Sequence, residues 1–72
     1  MLQIKRKDDY TMFKVYLNFR AKTVRICSYF NNKKIQEFKL PYNQKSIQMA
    51  FSASYDEISE YIEKDFVSLP NH

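Results

Sequence analysis

The chain contains no glycine and no tryptophan, a single cysteine, a single histidine and two prolines. Without glycine, phosphate-cradling loops and dinucleotide fingerprints are excluded, because their main-chain N–H groups must approach an anion where a Cβ would stand. The turn in "FNNKK" uses asparagine, the residue that best tolerates a positive φ where glycine is not at hand. The lone cysteine, Cys27, excludes an internal disulfide and fits a reducing, cytoplasmic setting. The lone histidine is His72 at the chain end, so no Cys/His cluster with metal-ligand spacing exists, and no metal or cofactor is expected. No apolar run approaches the roughly 18 residues of a membrane span. The opening "MLQIKRKDDY" has basic and then acidic residues where a secretory leader would carry its apolar stretch. No association with a membrane is therefore expected.

What is present is a small aromatic-rich chain of polarised charge. Seventy-two residues, 44% of them hydrophobic, with six tyrosines and six phenylalanines, have the apolar content of one folded domain. A domain of this size buries only ~60% of the surface its unfolded chain exposes, so a partner or a second copy is a reasonable extra source of stability. Residues 1–45 hold eleven Lys and Arg against Asp8, Asp9 and Glu37, and residues 46–72 hold Lys64 against Asp56, Glu57, Glu60, Glu63 and Asp65. The field is thus basic first and acidic last, which suits steering of an anionic partner or head-to-tail self-association, and a homodimer is one expectation.

The stretch "MFKVYLNFRAKTVRICSYF" alternates twice. Phe13, Val15, Leu17 and Phe19, then Val24, Ile26 and Phe30, fall on one face of a hairpin, whose tip at Ala21 and Lys22 would set Leu17 opposite Ile26, Phe19 opposite Val24 and Phe13 opposite Phe30. In "FNNKK" a three-residue loop pairing Phe30 with Lys34 sets Phe38 opposite Ile26 and Leu40 opposite Val24. A two-residue Asn31-Asn32 loop would turn Glu37 inward and is rejected on that ground. Pro41 ends the third strand.

In "SIQMAFSA", Ile47, Met49, Phe51 and Ala53 alternate as in a fourth strand. Ile47, Ala50, Phe51, Tyr55, Ile58 and Ile62 also recur at helical spacing, so residues 44–66 compete as one long helix. The strand is preferred because Ser54 and Glu57 form a capping box, with Ala53 and Ile58 placed as a hydrophobic staple, and this starts a helix at Tyr55. The expected fold is α+β: a small two-layer domain with an antiparallel three- to four-stranded β-meander and one C-terminal amphipathic helix packed on one face. Residues 1–9 would be an arm or, through Leu2 and Ile4, a short strand, residues 10–53 the sheet, 54–66 the helix and 67–72 a tail.

The second face of the hairpin carries Lys14, Tyr16, Asn18 and Arg20 beside Arg25, Cys27 and Tyr29, with Ile35, Glu37 and Lys39 next along. Tyrosine and arginine are enriched at the centres of protein interfaces, so Lys14, Tyr16, Asn18, Arg20, Arg25, Tyr29 and Lys39 form the candidate partner-binding set, and a protein partner is the first expectation. An unpaired sheet edge offers a second route to a protein. Nucleic acid is the alternative, since bases stack on aromatic rings while Lys and Arg neutralise phosphates. Each reading has a plainer competitor: tyrosine and lysine also stabilise solvated strands, and the acids of residues 56–63 suit the first turns of a helix without binding anything. Cys27 has no histidine near it in sequence and is expected to be a passive thiol. Enzyme activity is not expected, because neither an acid–base set nor a cleft is in prospect.

The richness in Lys, Asn, Ile, Tyr and Phe resembles proteins of AT-rich genomes, and a compact antiparallel sheet with one helix resembles many small accessory proteins of phages and mobile elements, including some anti-defence inhibitors. That resemblance is one of composition and architecture and carries over no residue; it adds to the expectation, read from the aromatic and basic face, of a non-enzymatic protein-binding module, a phage or mobile-element accessory protein or anti-defence inhibitor that occludes its partner.

Overall fold

The computed structural model describes residues 1–64. They form a four-stranded antiparallel sheet in the order β1-β2-β3-β4, with β1 Leu2–Arg6, β2 Thr11–Asn18, β3 Thr23–Phe30 and β4 Lys33–Leu40, followed by helices α1 Gln44–Ser52 and α2 Tyr55–Ile62. The α+β meander is as expected, and Leu2 and Ile4 do belong to a strand. The helical layer differs: it has two helices where one was expected.

The strand alternation expected for residues 46–53 is overturned by burial. Ser46, Ala50 and Ala53 are buried while Phe51 is half exposed, which is helical spacing. The start signal is a capping box at the preceding loop. The Ser46 N–H donates to Asn43 Oδ1 at 2.9 Å, and the Asn43 N–H donates to Ser46 Oγ at 3.1 Å. The Ser46 hydroxyl donates in turn to the Pro41 carbonyl at 2.6 Å, so this buried polar side chain is satisfied. At Ala53 and Ser54 the backbone is extended, which also rules out one continuous helix. The second capping box is as read from sequence. The Glu57 N–H donates to Ser54 Oγ at 3.2 Å and the Ser54 N–H to Glu57 Oε1 at 2.8 Å, with Ala53 and Ile58 both buried. The continuation of the apolar stripe to Phe66, and the tail at 67–72, lie outside the described residues.

The first hairpin differs from expectation by two residues, whereas the second keeps its expected strand register, Phe38 against Ile26 and Leu40 against Val24, and differs only at its turn. Leu17 pairs with Val24 and Val15 with Ile26, a register two residues from that expected, so Phe13 faces Ser28 and Phe19 leaves the ladder. A shift of two keeps every side chain on its face, and the core strand residues are therefore as read. Phe19 and Phe30 are corrected to exposed positions, at 53% and 54%. The loop between β2 and β3 spans residues 19–22, where Lys22 takes φ 57° and Asn18 Oδ1 accepts the Ala21 N–H at 2.9 Å.

The second hairpin uses the rejected loop. Phe30 pairs with Lys33 around Asn31 and Asn32, whose φ values of 53° and 67° match a two-residue primed turn. The consequence expected of that loop, Glu37 turned inward, does not follow, because the register shifts between Ser28 and Tyr29. Ser28 faces Gln36 and Tyr29 faces Lys34, so Ile35 is extra on β4, and Phe38 still faces Ile26.

The helices cover one sheet face. Phe13, Val15, Leu17, Val24, Ile26 and Leu40 pack with Ala50, Ala53, Ile58 and Ile62, and the Tyr55 ring stacks on Phe13 with centroids 4.3 Å apart. Among the described residues nothing covers the other sheet face.

Candidate protein-binding face

Register fixes what the open face carries, because every second residue of each strand points to it, with one step of three in β4 at the extra residue Ile35. Three cross-strand rows result. Leu2, Tyr16, Arg25 and Lys39 form the first, Ile4, Lys14, Cys27 and Glu37 the second, and Arg6, Met12, Tyr29 and Lys34 the third.

Five members of the expected set, Lys14, Tyr16, Arg25, Tyr29 and Lys39, are thus brought together. Asn18 ends β2 at the border of this face, and its side-chain oxygen is engaged by the Ala21 N–H of the turn. Arg20 stands in the β2–β3 loop, away from the rows, since the loop is longer than the tip expected at Ala21 and Lys22.

The central rings are already occupied by cations. The Arg25 guanidinium lies over Tyr16 with its Cζ 4.9 Å from the ring centroid, and the Lys14 ammonium lies over Tyr29 at 4.5 Å. Arg25 Nη1 also donates to Glu37 Oε2 at 3.1 Å, and Lys34 Nζ donates to the other oxygen, Oε1. These two hydrogen bonds, that from Lys34 first, hold the Glu37 carboxyl below the usual glutamate range, and the Glu37 carboxylate raises both Arg25 and Lys34. Cys27 is buried between Lys14 and Glu37 of its row, only 2% exposed. The face is cationic, with Glu37 the single carboxylate of the three rows among the described residues, and Lys14, Arg25, Lys34 and Glu37 are ordered by rings or by one another. Beside Leu2, Tyr16 and Arg25 the surface is dented by a shallow depression that Asn18 and Thr23 complete.

No family model, curated protein or solved structure matches the chain. Its reading therefore rests on the side chains themselves.

Sequence reasoning missed the contribution of β1. Leu2 and Ile4 are apolar and would be assigned inward, but Lys7 closes a tight connection to Thr11, and the register so fixed turns Gln3 and Lys5 to the helix side. Leu2 and Ile4 are each 47% exposed on the open face, with Met12 half-buried beside them. The signal available was the short Asp8-Asp9-Tyr10 connection. Asp8 Oδ1 accepts the N–H groups of Tyr10 and Thr11, each at 2.8 Å, and those bonds pull its pKa down. Among the described residues no three His, Cys, Asp or Glu side chains stand together as a metal site, and no helix is long and apolar enough to cross a membrane.

Proposed function

We propose that the protein is a small non-enzymatic binding module that engages a protein partner through the open sheet face and acts by occlusion. The observation that carries this reading is the exposure of Leu2 and Ile4 beside Tyr16 and Arg25 on a face that, among the described residues, no helix covers. Tyrosine and arginine at the centre, here Tyr16, Tyr29 and Arg25 with Lys14 among them, and an apolar border of Leu2 and Ile4 are side chains enriched in protein interfaces. The depression by Leu2, Tyr16 and Arg25 can seat an anchoring side chain. A nucleic-acid face would need rings free to stack on bases, whereas both central tyrosines are covered by Arg25 and Lys14.

Affinity capture from a native lysate, with and without nuclease, tests the reading. Tyr16→Ala and Arg25→Ala, each shown to be folded, are expected to abolish capture of a discrete protein that nuclease does not release. Capture lost to nuclease, with a salt dependence reduced by roughly one log unit per log salt in Arg25→Ala, would transfer the face to nucleic acid.

A further inference from the structure

The two edges of the sheet are unequal. β4 carries Lys33, Lys34 and Lys39, has the extra residue Ile35 and runs into Pro41, the features by which a sheet edge is protected from pairing. β1 has neither bulge nor proline, and among the described residues no strand lies on its outer side. Its hydrogen-bonding parity is fixed at both ends. Met1 and Leu17 exchange both main-chain bonds, at 2.7 and 2.8 Å, and the Lys7 N–H donates to Thr11 at 2.9 Å. Antiparallel pairs alternate between bonded and non-bonded, so Gln3 and Lys5 serve the β2 ladder while the N–H and C=O groups of Leu2, Ile4 and Arg6 point away from it.

We infer that β1 pairs with an extended acidic segment of the partner, adding a fifth strand in which carboxylates alternate with apolar side chains. The inference rests on the protein-binding reading above and names its mode. Charge chooses the occupant: Lys5, Arg6 and Lys7 line this edge with no acid among residues 1–7, and the nearby acids are committed, Asp8 to its turn and Glu57, which stands near Lys5, to the Ser54 cap. A second copy would bring the same cations to it. On the open face the added strand's apolar residues continue the Leu2 and Ile4 patch, and its carboxylates fall on the side of Lys5.

The test uses a capped peptide of about six residues alternating glutamate and valine, a strand's typical length, and a lysine–valine peptide as its counterpart. Fluorescence anisotropy with the full chain should show the acidic peptide bound at least ~10-fold more tightly. Ile4→Pro removes an N–H that faces outward and spares the β2 ladder, so it should weaken binding by about tenfold, whereas Ile4→Thr, which keeps that N–H, should weaken it less. Amide chemical shifts show whether Ile4→Pro stays folded. Where it does not, a synthetic chain N-methylated at Ile4 makes the same deletion.

Absence of binding by the acidic peptide, or equal binding of both peptides, overturns the inference. Binding insensitive to Ile4→Pro but lost in Tyr16→Ala also overturns it, placing the segment on the face and leaving the protein-binding reading intact. Self-association of the free protein abolished by Ile4→Pro would name a second copy as the occupant, and refute it too.

Discussion

Leu17 and Phe19 are two residues apart and would share a face in any continuous strand, yet their truncation should have opposite consequences. Leu17 is 1% exposed at the centre of the core and pairs with Val24, so Leu17→Ala should cost about 3 to 5 kcal/mol, the transfer term plus the cavity left behind. A domain of this length has a total stability of about 4 to 11 kcal/mol, so the variant would be close to unfolding. Phe19 is 53% exposed in the loop, and Phe19→Ala should lie within about 1 kcal/mol of the parent. In the register with its tip at Ala21 and Lys22, Phe19 would face Val24 and its truncation would cost about 3 to 5 kcal/mol instead. Urea unfolding followed by far-ultraviolet circular dichroism separates the cases, with an unchanged slope showing that the unfolding reaction is the same. A loss above about 2 kcal/mol for Phe19→Ala, or a neutral Leu17→Ala, would refute the assigned pairing.

The two capping boxes should each be worth about 1 kcal/mol, so Asn43→Ala and Ser54→Ala should each lower the urea midpoint and add in combination, and a silent Asn43→Ala would argue against a helix starting at Gln44. Asp8, Glu37 and Glu57 all have pKa values lowered by hydrogen bonds in the folded state. Their contribution is therefore complete above the unfolded carboxylate range near pH 4 and is lost as pH falls through the lower folded values. Unfolding midpoints measured from about pH 7 down to pH 2 should show a plateau and then a decline that Glu37→Gln makes shallower, and an identical acid limb in that variant would contradict the ion-pair account.

The part of the fold governed by period-two burial was legible in the sequence. Val15, Leu17, Val24, Ile26 and Phe38 fall where alternation puts them, because an error of two in hairpin register leaves the faces unchanged. The ends were not legible, since Phe13 alternates with Phe19 in sequence and nothing local tells that Asn18 begins the turn. Residues 46–53 satisfied strand and helix periods at once. The deciding group, Ser46 at the third helical position behind Asn43, is a capping partner less familiar than the glutamate that marked Ser54. At the candidate face the tyrosines and cations were legible and the apolar border was not, because the facing of Leu2 and Ile4 depends on a turn that inverts the usual expectation for an edge strand.

The extra residue in β4 makes the last hairpin a pair of compensating frame errors. Asn31-Asn32 closes the turn one residue early, and Ile35 restores the count before the core residues are reached. Removing Ile35 outright would join Lys34 to Gln36 in an unbroken ladder with Phe38 still against Ile26 and Glu37 still beside Cys27. Adding one residue anywhere in residues 33–36 would instead demand a second bulge, or exchange Phe38 and Glu37 between core and open face. The chain therefore carries one spare residue in this strand: it can lose it at no cost to either face, and it has no matching room to gain one.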